Sequence, residues 1–289
     1  LLVTPFYWIS AVWYRRMRHL TLGDWFAERY ESRGLGAAYA VFGIIFYMLF
    51  LSVAFTAVSK VCEPLIFPEA AGNSSSRYYL LPTIGLVVIV YGALGGLRAA
   101  YWTDLIQGFF IILLSVLLIP FGLSLLVENF GDPKSEGLMA GFRILHEQLP
   151  ASSFELHGGE FPLYYIFCIF ILNLTGIVVQ PHFIATGGGS AKSEHSARVG
   201  LVVGNFLKRF CTVGWALTGL IMLALLSVYP EIGKDPDQIW GHAAVKLLGP
   251  AGIGLVGLMV ACLLAALMSS ADCYMLVASG LVVRNCYAA

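Results

Sequence analysis

The sequence predicts an all-α polytopic membrane protein, on three observations. The 289-residue chain is 58% hydrophobic and only 12% charged, against about 25% charged residues in a soluble domain, and its mean hydropathy is +0.80. Its apolar residues gather in seven runs, most of them close to the roughly 20 residues that a helix needs to cross a bilayer. The runs show no period-two alternation, which favours helices over barrel strands, because lipid forces each span to satisfy its own backbone.

The predicted spans, in order, are 1–14 (a truncated first span), 36–58, 80–97, 105–127, 161–184, 201–229 and 251–283, all within one transmembrane domain covering 1–289. The first run lacks a Met and a charged leader, so it reads as an internal cut rather than a signal peptide. Orientation follows from Lys and Arg. Eleven of them (Arg15, Arg16, Arg18, Arg29, Arg33, Arg98, Lys192, Arg198, Lys208, Arg209, Arg284) fall on one side, and six (Lys60, Arg77, Lys134, Arg143, Lys234, Lys246) on the other. The first side is therefore expected to be cytoplasmic, in a plasma or inner membrane. Two external loops, Glu128–Glu160 and Pro230–Pro250, carry amphipathic stretches at Leu138–Leu149 and Gln238–Leu248 that predict short surface helices. Asn73-Ser74-Ser75 fits a glycosylation acceptor, a pattern that also arises by chance.

The formal net charge is zero, so no nucleic-acid partner is implied. The six cysteines are scattered singly, without a CxxC pair, and read as small buried hydrophobes. No catalytic triad, HExxH or phosphate-loop pattern occurs in a plausible context, so no enzyme activity and no organic cofactor are expected.

Four segments carry chemistry. In the last span Asp272 is the only charge between Ala251 and Val283, just after Ser269-Ser270. A charge at bilayer depth costs about 2.5–3.5 kcal/mol on insertion scales, so it is expected to face a cavity, an ion or a partner. Ala266, Ser269, Ser270 and Cys273 fall on one helical stripe. The stripe is either a packing seam or, with its hydroxyls and a carbonyl, part of a shell for a hard cation. Asp272 lies about 60° round the helix from Ser269, which points to a second, adjoining site. In GGLRAAYWTDLIQGFF, two glycines end a span, Thr103 is placed to cap the next helix, and Asp104 either complements that helix dipole or faces inward with Gln107 as a cation ligand. Asn173, Thr175, Gln180 and His182 place polar groups inside a span that Pro181 disturbs and Gly187-Gly188-Gly189 end. Irregular helix at membrane depth is where transporters hold cargo. In NFLKRF, Lys208 is expected to point inward and Arg209 to snorkel.

These segments in this order resemble the sodium/solute symporter family of sodium-glucose, sodium-proline and sodium-sialic-acid carriers. LTLGDWFAERYES (Leu20–Ser32), GGLRAAYWTDLIQ (Gly95–Gln107), QPHFIAT (Gln180–Thr186) followed by AKS and FLK, and AALMSSADC (Ala265–Cys273) carry the likeness, QPH being closest to proline carriers. The resemblance implies a LeuT-like inverted-repeat helical bundle, incomplete here, with the seven spans as core helices two to eight. It implies a main sodium site at the Ala266 carbonyl and the Ser269 and Ser270 hydroxyls. It also implies an exit path or second cation or proton site at Asp104, Asp272 and Cys273. Members with a second sodium site hold hydroxyls where this chain has Asp272 and Cys273, so a two-carboxylate site is expected instead. Asn173, Gln180, His182 and Lys208 are the candidates for facing the solute.

The function implied is secondary active transport, in which inward sodium flow drives uptake of a small polar solute (sugar, amino acid or organic anion) by alternating access. The alternatives are a proton-coupled carrier using Asp104 and Asp272, a sensor built on a transporter scaffold and fused to a signalling domain, an intramembrane enzyme with an aspartate pair, and a non-transporting truncated product.

Overall fold

The structure is a computed structural model that describes residues 2–66, 74–155, 161–230, 233, 236–252 and 254–287. Asn73 of the acceptor triplet and Lys234 of the external set lie outside the described residues. Within them the chain forms α1 (Thr4–Met17), α2 (Leu22–Arg29), α3 (Arg33–Ile66), α4 (Ser74–Phe130), α5 (Ala140–Gln148), α6 (Leu163–Val179), α7 (Glu194–Ala224), α8 (Ile239–Leu248) and α9 (Leu255–Leu281), with π-helical turns at Phe183–Gly188 and Val282–Tyr287. Four stretches are long and apolar enough to cross a membrane: Arg33–Ile66, Ala100–Phe130, Glu194–Ser227 and Leu255–Tyr287. Leu81–Gly96 and Leu163–Val179 are shorter apolar helices. In the most apolar window of α3 only 11% of residues are buried, and Val41, Ile45, Met48 and Leu49 point outward. A contiguous apolar face of this kind marks a surface for lipid or for another apolar partner.

Local chemistry fixes the helix starts. Thr21 caps α2 by accepting from the Asp24 N–H (3.0 Å), and Ser193 caps α7 by accepting from the Ser196 N–H (3.1 Å). Both supply an acceptor for an N–H that has no partner inside the helix.

The two spans expected at 80–97 and 105–127 are the arms of one element, α4. Only Gly96 breaks it, at φ 56° and ψ −174°, a conformation open essentially to glycine alone. One residue therefore does the work of a loop. Thr103 is already inside the second arm, and its hydroxyl donates back to the Ala100 carbonyl (2.9 Å); the expected N-cap is corrected accordingly.

α9 runs through all three hydrophobic clusters. At its start Met259, Cys262 and Leu263 join Leu114 and Leu118 of the second α4 arm, with α5, α7 and α8. At mid-length Leu267 and Ala271 join Ile84 and Val88 of the first arm. At its end Val277 and Leu281 join Tyr14, Tyr39, Tyr47 and Ile184. Residue numbers rise together along α9 and the first arm and run oppositely along the second, so the arms are antiparallel and flank α9. α7 closes on the second arm at Gly214, where a Cβ would lie 2.1 Å from the Ser115 carbonyl oxygen. Small residues permit such backbone approach between membrane helices.

The two short loop helices form where the amphipathic stretches predict them, each with one face turned inward. α5 buries Gly141, Ile144 and Leu145, and α8 buries Gly241, Ala243, Ala244, Leu247 and Leu248. Their apolar faces complete the core at one end of the bundle.

Ion pairs gather at the two ends. Arg284 with Asp24 (2.8 Å) and Arg16 with Glu194 (2.8 Å) tie together elements rich in the expected cytoplasmic cations. Lys60 with Asp237, and Arg143 with Glu136, join elements at the other.

Candidate functional site

The structure gathers the predicted ion residues where α9 passes between the arms of α4. The Ser270 hydroxyl reaches the Ala266 carbonyl of its own helix (3.5 Å). The Ser269 hydroxyl lies beside the Asp104 carboxylate on the second arm, and Asp272 lies within electrostatic reach of Asp104. Asp272 is fully buried, and its Oδ1 accepts from the Cys273 N–H (2.7 Å). A Cβ added at Gly92 of the first arm would sit 4.0 Å from the Asp272 Cβ, an ordinary contact distance, so the first arm passes directly beside the aspartate. Two buried oxygens, Asp104 Oδ1 and Gln107 Oε1, have no hydrogen-bond partner, and Gln107 is only 8% exposed. Buried polar atoms are almost always paired, so orphans mark a place where something binds.

This arrangement revises one expectation. The angle round the helix alone places Ser269 and Asp272 at separate, adjoining sites. In the structure Ser269 lies beside Asp104, and Asp104 lies within electrostatic reach of Asp272, so the two groups of residues adjoin in one oxygen cluster. Hydroxyls, carboxylates and an amide oxygen suit a hard cation. Cys273 supplies no oxygen from its side chain. Its thiol is an electrostatic neighbour of Tyr47, Tyr101 and Tyr274, which directs it toward the aromatic side of the site.

The four residues expected to face the solute line one cavity of about 520 Å³. Asn173 and Gln180 come from α6 and its C-terminus, His182 from the break that follows, and Lys208 from α7. The break has a specific cause. Pro181 has no N–H, so the Ile177 carbonyl four residues earlier loses its helical donor. The hydroxyl of Tyr14 on α1 supplies that donor, and the Tyr39 hydroxyl on α3 donates to the Val179 carbonyl (2.6 Å). In a membrane, irregular helix persists only where protein repairs its backbone in this way.

Sequence reasoning missed the aromatic walls. The Tyr47 and Tyr274 rings stack at 5.1 Å, and the His182 ring lies 5.2 Å from Tyr274. Tyr101 reaches from α4 to Ser190 (2.7 Å). Tyr39, Gly43 and Tyr47 share one α3 face at i, i+4 and i+8, a visible signal that composition alone drowned among 19 Phe and 14 Tyr. Arg209 also departs from expectation. Its Nε is buried and within reach of Tyr7 on α1, because α7 packs on α1, where Asn205 also bonds Thr4 (2.7 Å).

The ion cluster and the cavity share α9. Tyr274 lines the cavity one helical turn beyond Ser270, on the same face.

The family model for the sodium:solute symporter family matches residues 1–289. The chain belongs to that family. Its members are carriers rather than enzymes, and with four helices long enough to span this member is a membrane protein. The sodium/proline symporter of Escherichia coli K12 is 24% identical over 280 residues, covering 93% of this chain and 50% of the relative. The sodium/pantothenate symporter of Haemophilus influenzae is 23% identical over 275 residues, covering 94% and 52%. The sodium-dependent multivitamin transporter of Oryctolagus cuniculus is 27% identical over 284 residues, covering 85% and 42%. The chain spans about half the length of the curated relatives it matches. No solved structure gives a significant match.

Proposed function

We propose that this symporter-family chain serves in a multi-pass plasma-membrane carrier that couples inward sodium flow to uptake of a small polar solute by alternating access. The observation that carries this reading is the juxtaposition on α9: an oxygen cluster with two unpartnered buried oxygens, one turn from the wall of a cavity at a broken helix. The relatives named as sodium symporters support it. In this reading the Ala266 carbonyl and the Ser269 and Ser270 hydroxyls bind the transported sodium. Asp104, Asp272 and Gln107 extend the cluster along the ion's path, and Asn173, Gln180, His182 and Lys208 meet the solute.

The driving energy is sufficient. One sodium ion entering through 100 mV gains about 2.3 kcal/mol, and a tenfold gradient adds about 1.4 kcal/mol. Together they sustain several hundredfold accumulation per ion. Coupling requires the ion to prefer one conformation, since equal binding to both shifts nothing. Ser270 and Tyr274 lie on one face of a single helix, so an ion that fixes α9 also fixes the aromatic wall presented to the solute.

Uptake by the protein in proteoliposomes, with sodium and then with choline outside, tests the proposal. Accumulation should need sodium and should be lost in Ser270→Ala. Equal accumulation in choline without any proton gradient, or uptake driven by a proton gradient alone, refutes sodium coupling.

A further inference from the structure

We infer that the solute taken by the cavity at the broken helix is a monocarboxylate with an apolar body and no ammonium group. The inference rests on the reading of this cavity as the solute site and deepens it. The lining contains one charged side chain, Lys208, and neither Asp nor Glu. Among the described residues Lys208 makes no ion pair. A second cation, Arg209, acts electrostatically on Tyr7, which is itself part of the wall. The field inside the cavity is therefore positive, and Asp104 and the fully buried Asp272 and Glu63 are absent from its lining.

The remaining wall is mostly aromatic: Tyr7, Phe42, Phe46, Phe50, Phe183 and Tyr274. Aromatic faces alone attract cations as well as apolar groups, but Lys208 opposes a cation there through like-charge repulsion. A carboxylate meets the Lys208 ammonium in a charge-assisted hydrogen bond. Its hydrocarbon body then lies on the rings. Asn173 has committed one donor to the Ile169 carbonyl of its own helix (2.8 Å), which leaves its amide oxygen and that of Gln180 for a hydroxyl or amide on the solute. The volume of about 520 Å³ accepts a small molecule whole.

The test is equilibrium binding to the reconstituted protein at pH 7, in sodium and in choline. The probes are propionate, 4-methylpentanoate and 3-phenylpropionate, together with 4-methylpentanamide and leucine, which keep one skeleton and change only the charge pattern. The carboxylates should bind with 4-methylpentanoate at least about tenfold tighter than its amide or leucine, as expected for one charge-assisted contact. Lys208→Met should abolish that preference, and Lys208→Arg should keep it. Binding of leucine or the amide as tight as that of the carboxylate overturns the inference, as does failure of all three carboxylates to bind at millimolar concentration. A carboxylate preference that is identical in sodium and choline supports this inference and removes sodium coupling. Sodium-dependent binding with no carboxylate preference does the reverse.

Discussion

Tyr14→Phe removes a single oxygen, and its effect should fall on the Ile177 carbonyl. That carbonyl has no helical donor because residue 181 is proline, and among the described residues Tyr14 is the one that donates to it. Tyr14 is 2% exposed, so water does not take over. Phenylalanine keeps the ring and its 6.4 Å stacking on Phe183, which holds the packing loss near zero. What remains is one buried carbonyl without a partner, about 1–3 kcal/mol. At about 2–4 °C per kcal/mol for a chain near this size, the expected fall in melting temperature is roughly 2–12 °C. Thermal unfolding of the detergent-solubilised protein, followed by tryptophan fluorescence, measures it. A double-mutant cycle isolates the cause. Pro181→Ala restores an N–H and frees Gln180 from the extended conformation that a following proline imposes (ψ 127°). In the Pro181→Ala background Tyr14→Phe should therefore cost much less, with a coupling of about 1 kcal/mol or more. An unchanged melting temperature for Tyr14→Phe, or the same loss in both backgrounds, refutes the reasoning.

Two further outcomes follow from the packing and the ion cluster. Asp272→Ser should lower the sodium-to-solute ratio in dual-isotope flux measurements, since each ion lost removes about 3.7 kcal/mol of driving force; an unchanged ratio would separate Asp272 from the ion path. Gly214→Val places a side chain where a Cβ would already lie 2.1 Å from the Ser115 carbonyl oxygen, so α7 and α4 must part at a cost of about 1–3 kcal/mol; a thermal melt identical to that of the unaltered protein would show that the helices do not meet there.

Much of the site was legible because its signals are local. A carboxylate beside two serines in an apolar run, and a proline after polar residues in another, need no knowledge of the fold to mark a cost that must be offset. Thr103 and Arg209 were misjudged for the opposite reason. Whether Thr103 begins a helix depended on the turn at Gly96 taking only one residue, and whether Arg209 reaches the interface depended on α1 packing against α7.

The amino-acid order by itself determined that this is a helical membrane chain, and it marked the helix break at Pro181 and the polar residues around that break. Those properties come from composition, from a 3.6-residue period and from a missing N–H, all of which act within a few residues. Only the tertiary structure decided that α9 lies between the two arms of α4, that Ser269 meets Asp104 across that contact, and that tyrosines 14 and 39 repair the carbonyls of α6. Such pairings are set by which helices pack together, and a hydroxyl more than a hundred residues from the carbonyl it serves leaves no periodic trace in the sequence.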